Sequence, residues 1–587
     1  MAEAKGNVFG QFIHDGVTLD NKSKYQAFGM QFTDRRFRCN HVVALSFRKV
    51  ESSTADDVTE LAREVAVDIT GKQFDEMFGL AVQDGAATKV AKDFGFEEEV
   101  CDMHDGDKVG SSAVGELVRR DGRKNILNPF DAGTDLLKKL RDQAKHFCST
   151  HKNRVNYGKV IAQNPGLPRT TIDRDLNTTR ISSVYNLLRS SLRLRRSLQM
   201  YYATYNIQPF LSDVDWKFCR EVEAILGASK IMVTLVQTES KLIAAFAPII
   251  RKNLHNAFTS DTMDLIQDAL WTDQVHPPRQ SVEVDTFSEN GRTCRRRALL
   301  ETERRFFGNR SDDLMSDVAQ IASLKLTQRE KATLVLDKRT CGRGKIFSNA
   351  EWTDAIKALR VFYIEFYVQC KAYDRIEARR TAPPQAEAMD EGDVASEELE
   401  EPVQDDNDRL SLRRPPNQSA TIAAMLDNPE MLNEEQCKER DNFLAGEEYD
   451  DIIYDWYELD IKWRELYSKT ELGTVGREVI DPYKHLMNVD VLKMMGKIDA
   501  ENLQRGGKFG YLPEMCKNSR CQLGALSSQS FAERMNSAAN LLVTKHQTLL
   551  GHDLIDKLVV LRMNKSFMVM TRKRQATTYI TMSNNVN

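Results

Sequence analysis

The sequence predicts an α+β fold: an N-terminal mixed sheet, a large all-helical insertion that splits the sheet domain, and a C-terminal helical segment that closes it. Three observations predict this. Short runs rich in Phe, Val and Ile, separated by turn-forming residues, occupy the first hundred residues or so. From about residue 134 apolar residues recur at the helical interval. One stretch, 381–417, interrupts that rhythm with Pro, Glu and Asp and has no aromatic residue.

The elements follow in order. "VFGQFIHDGVT", "YQAFGMQFT" and "NHVVALSFRKV" are spaced closely enough for an antiparallel meander. "STADDVTELAREVAVDI" reads as a helix capped by Ser53 or Thr54, with Val58, Leu61, Val65 and Ile69 on its inner face. "MFGLAVQDG" is a fourth apolar run, "ATKVAKDF" a short helix and "EEEVCDMHD" a fifth strand. A helix between the third and fourth runs lets the fourth lie parallel to the first. That is the strand order of an RNase H-like core. The helical segments "TDLLKKLRDQAKHFCS", "VYNLLRSSLRLRRSLQMYYATY", "WKFCREVEAILGASKIMVTLVQTESKLIAAFAPIIRKNL" and "EWTDAIKALRVFYIEFYVQCKAYDRIEARR" come next, and "WTDQVHPPRQSVEVDTFSENGR" among them reads as irregular. The domains expected are 1–133 (first part of the sheet domain), 134–380 (helical insertion), 381–417 (disordered acidic linker) and 418–587 (return to the sheet domain).

Bulk properties narrow the class. The chain has 587 residues, 41% of them hydrophobic and 29% charged, with a formal net charge of −4. It can bury several cores, and it carries no overall positive excess of the histone kind. Its ten cysteines have no paired spacing, which fits a reducing compartment. The start, "MAEAKGNVFGQF", lacks the apolar run of a signal peptide, and no stretch has the ~18 apolar residues of a membrane span. A nuclear or cytoplasmic protein without membrane contact is expected.

Candidate chemistry rests on carboxylates. Asp15 and Asp84 each follow a strand-like run and precede Gly, so each reads either as a turn or as an acid at the end of a strand. Neighbouring strands would bring the two together, and paired acids tolerate each other when a divalent cation such as Mg2+ or Mn2+ lies between them. In "SSQSFAERMNSAANLL", Ser530-x-x-Glu533 has capping-box spacing. Phe531, Met535, Ala538 and Leu542 form the apolar face, with Glu533, Ser537 and Asn540 opposite. Glu533 therefore reads as a helix cap or as a metal ligand.

The chain resembles hAT-family transposases. "FIHDGVTLDNKSKYQAFGMQFTD" looks like the first strand pair with its leading aspartate. "LAVQDGAATKVAKDF…EEEVCDMHDGDKV" looks like the second aspartate and a Cys-x-x-His element, Cys101 and His104. "ALSSQSFAERMNSAANLLVTKHQTLLGHDLIDKLVVLRMNKS" looks like the C-terminal dimerisation segment that carries the third acid. The resemblance implies an RNase H-like core with a DDE triad of Asp15, Asp84 and Glu533. It also implies two Mg2+ or Mn2+ ions, DNA strand cleavage and transfer, and homo-oligomers formed through the C-terminal region. Leu550, Leu554 and Leu558 are the dimerisation candidates. No zinc is expected, because Cys101 and His104 make only half a site; the family places this pair beside its catalytic centre. Trp216 looks like a tryptophan near the start of the family's insertion that can contact DNA, and from the residues alone reads first as a core tryptophan that anchors its helix. Arg189, Arg193, Arg195 and Arg196, with Arg292, Arg295, Arg296 and Arg297, read as phosphate contacts or as a solvated face.

Three departures accompany the resemblance, one of them the acidic stretch 381–417, which looks like an insertion. Only 14 residues precede Asp15, and they contain no cysteine, so the family's BED zinc finger is not found before it. The segment "VLKMMGKIDAENLQRGGKFGYLPEM" lacks the family's paired tryptophans. An active transposase binding DNA with little sequence preference is one expectation. A catalytically inactive, domesticated or truncated derivative, acting as a dimerising interaction module, is the other.

Overall fold

The computed structural model describes residues 10–19, 22–34, 37, 40–51, 54–71, 78–83, 90, 97–117, 129–168, 172, 180–238, 242–267, 277–308, 323–341, 347–381, 432–459, 461, 491–503, 515, 522–524, 526, 528–543 and 550–572. Asp84, most of the expected short helix after it and the acidic stretch beyond Thr381 lie outside the described residues.

The fold is mixed α+β. Strands β1 (Gly10–Thr18), β2 (Lys24–Thr33) and β3 (Asn40–Val50) form an antiparallel meander. Helix α1 (Ala55–Thr70) crosses to β4 (Phe78–Gln83), which pairs parallel to β1, and β5 (Glu97–Val100) pairs parallel to β4. The sheet order is β3-β2-β1-β4-β5. Alternation assigns its two faces. Phe12, Phe28, Val43 and Phe78 pack under Val58, Ala62 and Val65 of α1. Ile13, Ala27, Phe47 and Val82 face the opposite side.

Thr54 caps α1 as expected, its side chain accepting from the Asp57 N–H. The inner face is rotated from the expected one: Thr59, Ala62 and Ala66 are buried beside Val58 and Val65, whereas Ile69 is 47% exposed.

The helical body begins earlier than the periodicity suggested. The fifth strand stops at Val100, and α2 (Asp102–Ala113) starts immediately. Its residues are acidic and glycine-rich, so they show no apolar stripe, yet most are buried. Gly110 explains part of this: a Cβ there would stand 2.3 Å from Ile181, so only glycine lets α2 approach so closely. Next come α3 (Asp131–Ser149), α4 (His151–Gln163), α5 (Ile181–Tyr205), α6 (Asp213–Val236) and α7 (Ala247–Thr259). The stretch read as irregular contains strand β7 (Arg279–Glu283), which forms a hairpin with β6 (Thr262–Ile266). Helices α8 (Glu289–Thr302), α9 (Gln328–Leu336), α10 (Asn349–Thr381), α11 (Glu434–Glu458) and α12 (Val491–Leu503) complete the body. None of the described helices is long and apolar enough to cross a membrane.

The chain then returns to the sheet. Helices α13 (Ser530–Leu542) and α14 (His552–Met563) cover the face opposite α1, with Phe531, Ala532, Met535, Ala539, Ile555 and Val559 in the seam. Gly29 of β2 admits Phe531, whose ring would lie 3.0 Å from any Cβ there. Helix α14 also covers the β3 edge of the sheet. At that edge the Asn564 side chain accepts from the Ala44 N–H and donates to the Ala44 carbonyl, both at 2.8 Å, imitating a strand neighbour. Asp556 accepts from the Phe47 N–H at 2.7 Å. An uncovered edge is a template for pairing with other chains. Asn564→Leu is expected to leave both Ala44 groups unpaired, to cost about 1–3 kcal/mol and to increase aggregation on heating. Unchanged melting and light scattering would show that these side chains do not protect the edge.

Candidate functional site

The site is built where α13 meets the ends of β1 and β4. Odd-numbered residues of β1 face α13. Gln11, 2% exposed, donates to the Leu526 carbonyl at 2.8 Å and accepts from its N–H at 2.6 Å, which tethers the approach to the helix. Ile13 lies in the apolar seam. Asp15, next on that side and half-buried, accepts at 2.8 Å from Asn536 Nδ2, 521 positions later in the chain.

Glu533 lies one turn before Asn536 on the same helix, and is 8% exposed. Its Oε2 lies 2.5 Å from Arg180 Nη2 and its Oε1 lies 3.3 Å from His104 Nε2. The capping box does not form. The N-cap is Gln529, without a side-chain cap, and Ser530 Oγ donates instead to the Gln237 carbonyl at 3.4 Å. Nor does Glu533 share the solvent face with Ser537 and Asn540, which are both exposed. The expected polar face is divided: Ser537 and Asn540 meet water, whereas Glu533 turns inward to His104 of α2 and to Arg180.

Helix α2 supplies the other wall. Cys101, His104 and Asp107 recur at intervals of three along one side. The Cys101 sulfur accepts from the Gln529 N–H at 3.3 Å. Asp107 accepts from the Ile181 N–H at the start of α5, and burial pushes its carboxyl up to about 6. Arg180 and His104 oppose that rise, and the negative charge of Glu533 adds to it. On the other side of α2, Arg251 joins Asp102 to Glu330, and Arg305 pairs with Asp105. These contacts lock α2 in place beneath the site.

Of the sequence-predicted acids, Asp15 and Glu533 lie on elements in direct contact, and Asp84 lies outside the described residues. Cys101 and His104 both touch the α13 region. Sequence reasoning missed Asn536, Gln529, Arg180 and Asp107. The i,i+3 spacing of Glu533 with Asn536, and of His104 with Asp107, was the available signal; Arg180 had none. Among the described residues, no three His, Cys, Asp or Glu side chains are grouped to hold a metal.

The remaining candidates are dispersed. Trp216 is 3% exposed in the core, with the Arg195 guanidinium 5.3 Å from its ring centroid. Arg195 also pairs with Asp213 at 3.2 Å. Arg189 and Arg193 are half-buried and Arg196 is exposed. Arg295 and Arg296 are half-buried, and Arg295 donates to the Ser260 carbonyl. Arg292 donates to the Asp285 carbonyl at 3.2 Å, whereas the buried Arg297 donates to the Ser112 carbonyl at 2.7 Å and lies over Phe130. The run 292–297 thus divides among several carbonyls rather than presenting one stripe. Leu550 and Leu558 are half-buried and Leu554 is 46% exposed, while Ile555 and Val559 form the buried side of α14.

No family model and no curated protein matches this sequence.

Proposed function

We propose that this chain is a hAT-type transposase or a derivative of one. Its sheet would be an RNase H-like core, and Asp15, Asp84 and Glu533 would act in cleaving and transferring DNA strands. The observation that carries the reading is the return of α13 to the end of β1, where Asn536 holds Asp15 and Glu533 lies one turn away. The sheet order, with β4 parallel to β1, supports it as well.

The acids are hard oxygen donors of the kind Mg2+ and Mn2+ take. The described residues do not make up a metal cage by themselves, because both Glu533 oxygens are engaged by Arg180 and His104. Binding therefore depends on Asp84 and on the release of Glu533 from those partners. Bound ions would supply activation of the attacking hydroxyl and stabilisation of the leaving oxygen. Half-buried and exposed arginines of α5 and α8 are the candidates for phosphate contact. DNA, a second copy of the chain joined through the region of Leu550, Leu554 and Leu558, and a nuclear location belong to the same proposal.

The engaged carboxylate of Glu533 favours a second reading, an inactive transposase-derived module that binds nucleic acid or protein. Nicking of supercoiled DNA and strand joining with Mn2+ separate the two. Under the first reading the wild type cuts, and Asp15→Asn and Glu533→Gln fall to background. A wild type that binds duplex DNA and self-associates without cutting supports the second. A chain that neither cuts nor binds DNA and does not self-associate would refute both.

A further inference from the structure

We infer that Gln529 is a positioning residue, which sets where α13 begins and so where Glu533 and Asn536 point. Gln529 is 1% exposed and joins three segments distant in sequence. Its Nε2 donates to the His14 carbonyl of β1 at 2.6 Å and to the Val82 carbonyl of β4 at 3.4 Å. Its backbone N–H donates to the Cys101 sulfur at the start of α2. One side chain therefore bridges β1, which carries Asp15 within its ladder rather than at its end, and β4, which stops one residue before Asp84, and one backbone group ties the helix start to the Cys-x-x-His segment.

The amide orientation is dictated by chemistry. A flipped side chain would set its oxygen against two carbonyl oxygens, so only the NH2 group can face β1 and β4. Its Oε1 is buried and accepts no hydrogen bond among the described residues. The contacts of this side chain are thus made by its donor end alone. Gln529 is also the N-cap of α13 yet makes no side-chain cap bond. The usual local role at this position has been given up for a tertiary one. Leu526 tethered by Gln11 holds the chain just before it, and Asn536 bound to Asp15 holds the chain two turns later. Gln529 lies between them and determines the register in which Glu533 meets Arg180 and His104.

Its effect on catalysis rests on the proposed reading of Glu533 as the third acid; its effect on α13 does not. The experiment uses the full chain with Gln529→Leu and Gln529→Glu. Leu removes the donor. Glu retains the shape but at neutral pH turns a carboxylate toward two carbonyls, whereas its protonated form restores one donor. Two readouts are taken from pH ~7 down to ~5, a range that spans the titration of a buried carboxyl. They are amide exchange in residues 530–536 and Mn2+-dependent nicking resolved into kcat and KM for duplex DNA. Gln529→Leu is expected to speed exchange there about tenfold, with α14 unchanged, and to lower kcat about 10–100-fold at constant KM. Gln529→Glu is expected to match it at neutral pH and to recover toward the wild type in acid. Wild-type exchange rates in Gln529→Leu overturn the inference, as does altered exchange with kcat intact. If the wild type does not nick DNA, the transposase reading fails by itself. Exchange and its recovery in acid then decide the role of Gln529.

Discussion

Replacing Arg251 with methionine is expected to destabilise the protein by about 3–5 kcal/mol. Arg251 of α7 places Nε 2.7 Å from Asp102 and Nη1 2.6 Å from Glu330, and it lies over Phe306. Arg251, Asp102 and Glu330 are each less than 12% exposed at their side chains. Two carboxylates from α2 and α9 thus share one cation away from water. Removing the cation leaves both acids desolvated and mutually repelling, which costs more than the pair contributes over an apolar replacement. The double variant Arg251→Met with Asp102→Asn should recover part of the loss, because one buried charge is gone. Urea unfolding of the three chains measures this. A loss below about 1 kcal/mol for Arg251→Met would mean that water reaches the acids and the network is not sealed.

Mild acidification is expected to stabilise the protein. Burial raises both Asp102 and Asp107 to about 6 from an ordinary 3.8, against the pull of Arg251 on the first and of Arg180 on the second. Each carboxyl binds its proton more tightly folded than unfolded. The stability it contributes is full below the unfolded value and is lost as pH rises through about 6. Between pH ~7.5 and ~5 each should add on the order of 1 kcal/mol. The gain turns over at lower pH. There Asp215 and Glu351 protonate: despite their burial, hydrogen bonds from Ser212 and Ser348 and the charges of Lys139 and Lys252 hold them below the usual range. Asp102→Asn and Asp107→Asn should each flatten the rise. A wild-type profile that falls from pH 7.5 to 5 would show that these acids are already solvated in the folded chain.

Neither expectation could be drawn from the sequence, and the reason is the same for both. Helix α2 carries Asp102, Asp105 and Asp107 in a run that reads as exposed, and only its packing against α5, α6 and α8, with Arg251 reaching in from α7, buries them. A charge pattern predicts solvation unless partners from elsewhere satisfy it, and Arg251 and Arg305 arrive from more than a hundred residues away.

Local signals determined a good deal. The three spaced apolar runs marked the meander β1-β2-β3, and the spacing of Phe531, Met535 and Ala538 placed the inner side of α13. The cap at Thr54 and the crossover that makes β4 parallel to β1 were also legible, because each depends on residues within a turn or on rules of chain connection. The fate of Glu533 was not. Ser530-x-x-Glu533 has every local feature of a capping box, yet the tertiary structure commits Ser530 to Gln237 and Glu533 to Arg180 and His104. A cap bond contributes about 1 kcal/mol, and a buried carboxylate facing a guanidinium and an imidazole loses far more if left unpaired. The sequence alone determined the N-terminal meander, most of the long helices and the apolar side of α13, but not β7, α2 or the inner face of α1. Only the tertiary structure decided which polar residues are buried together, because the partners that make burial tolerable come from opposite ends of the chain.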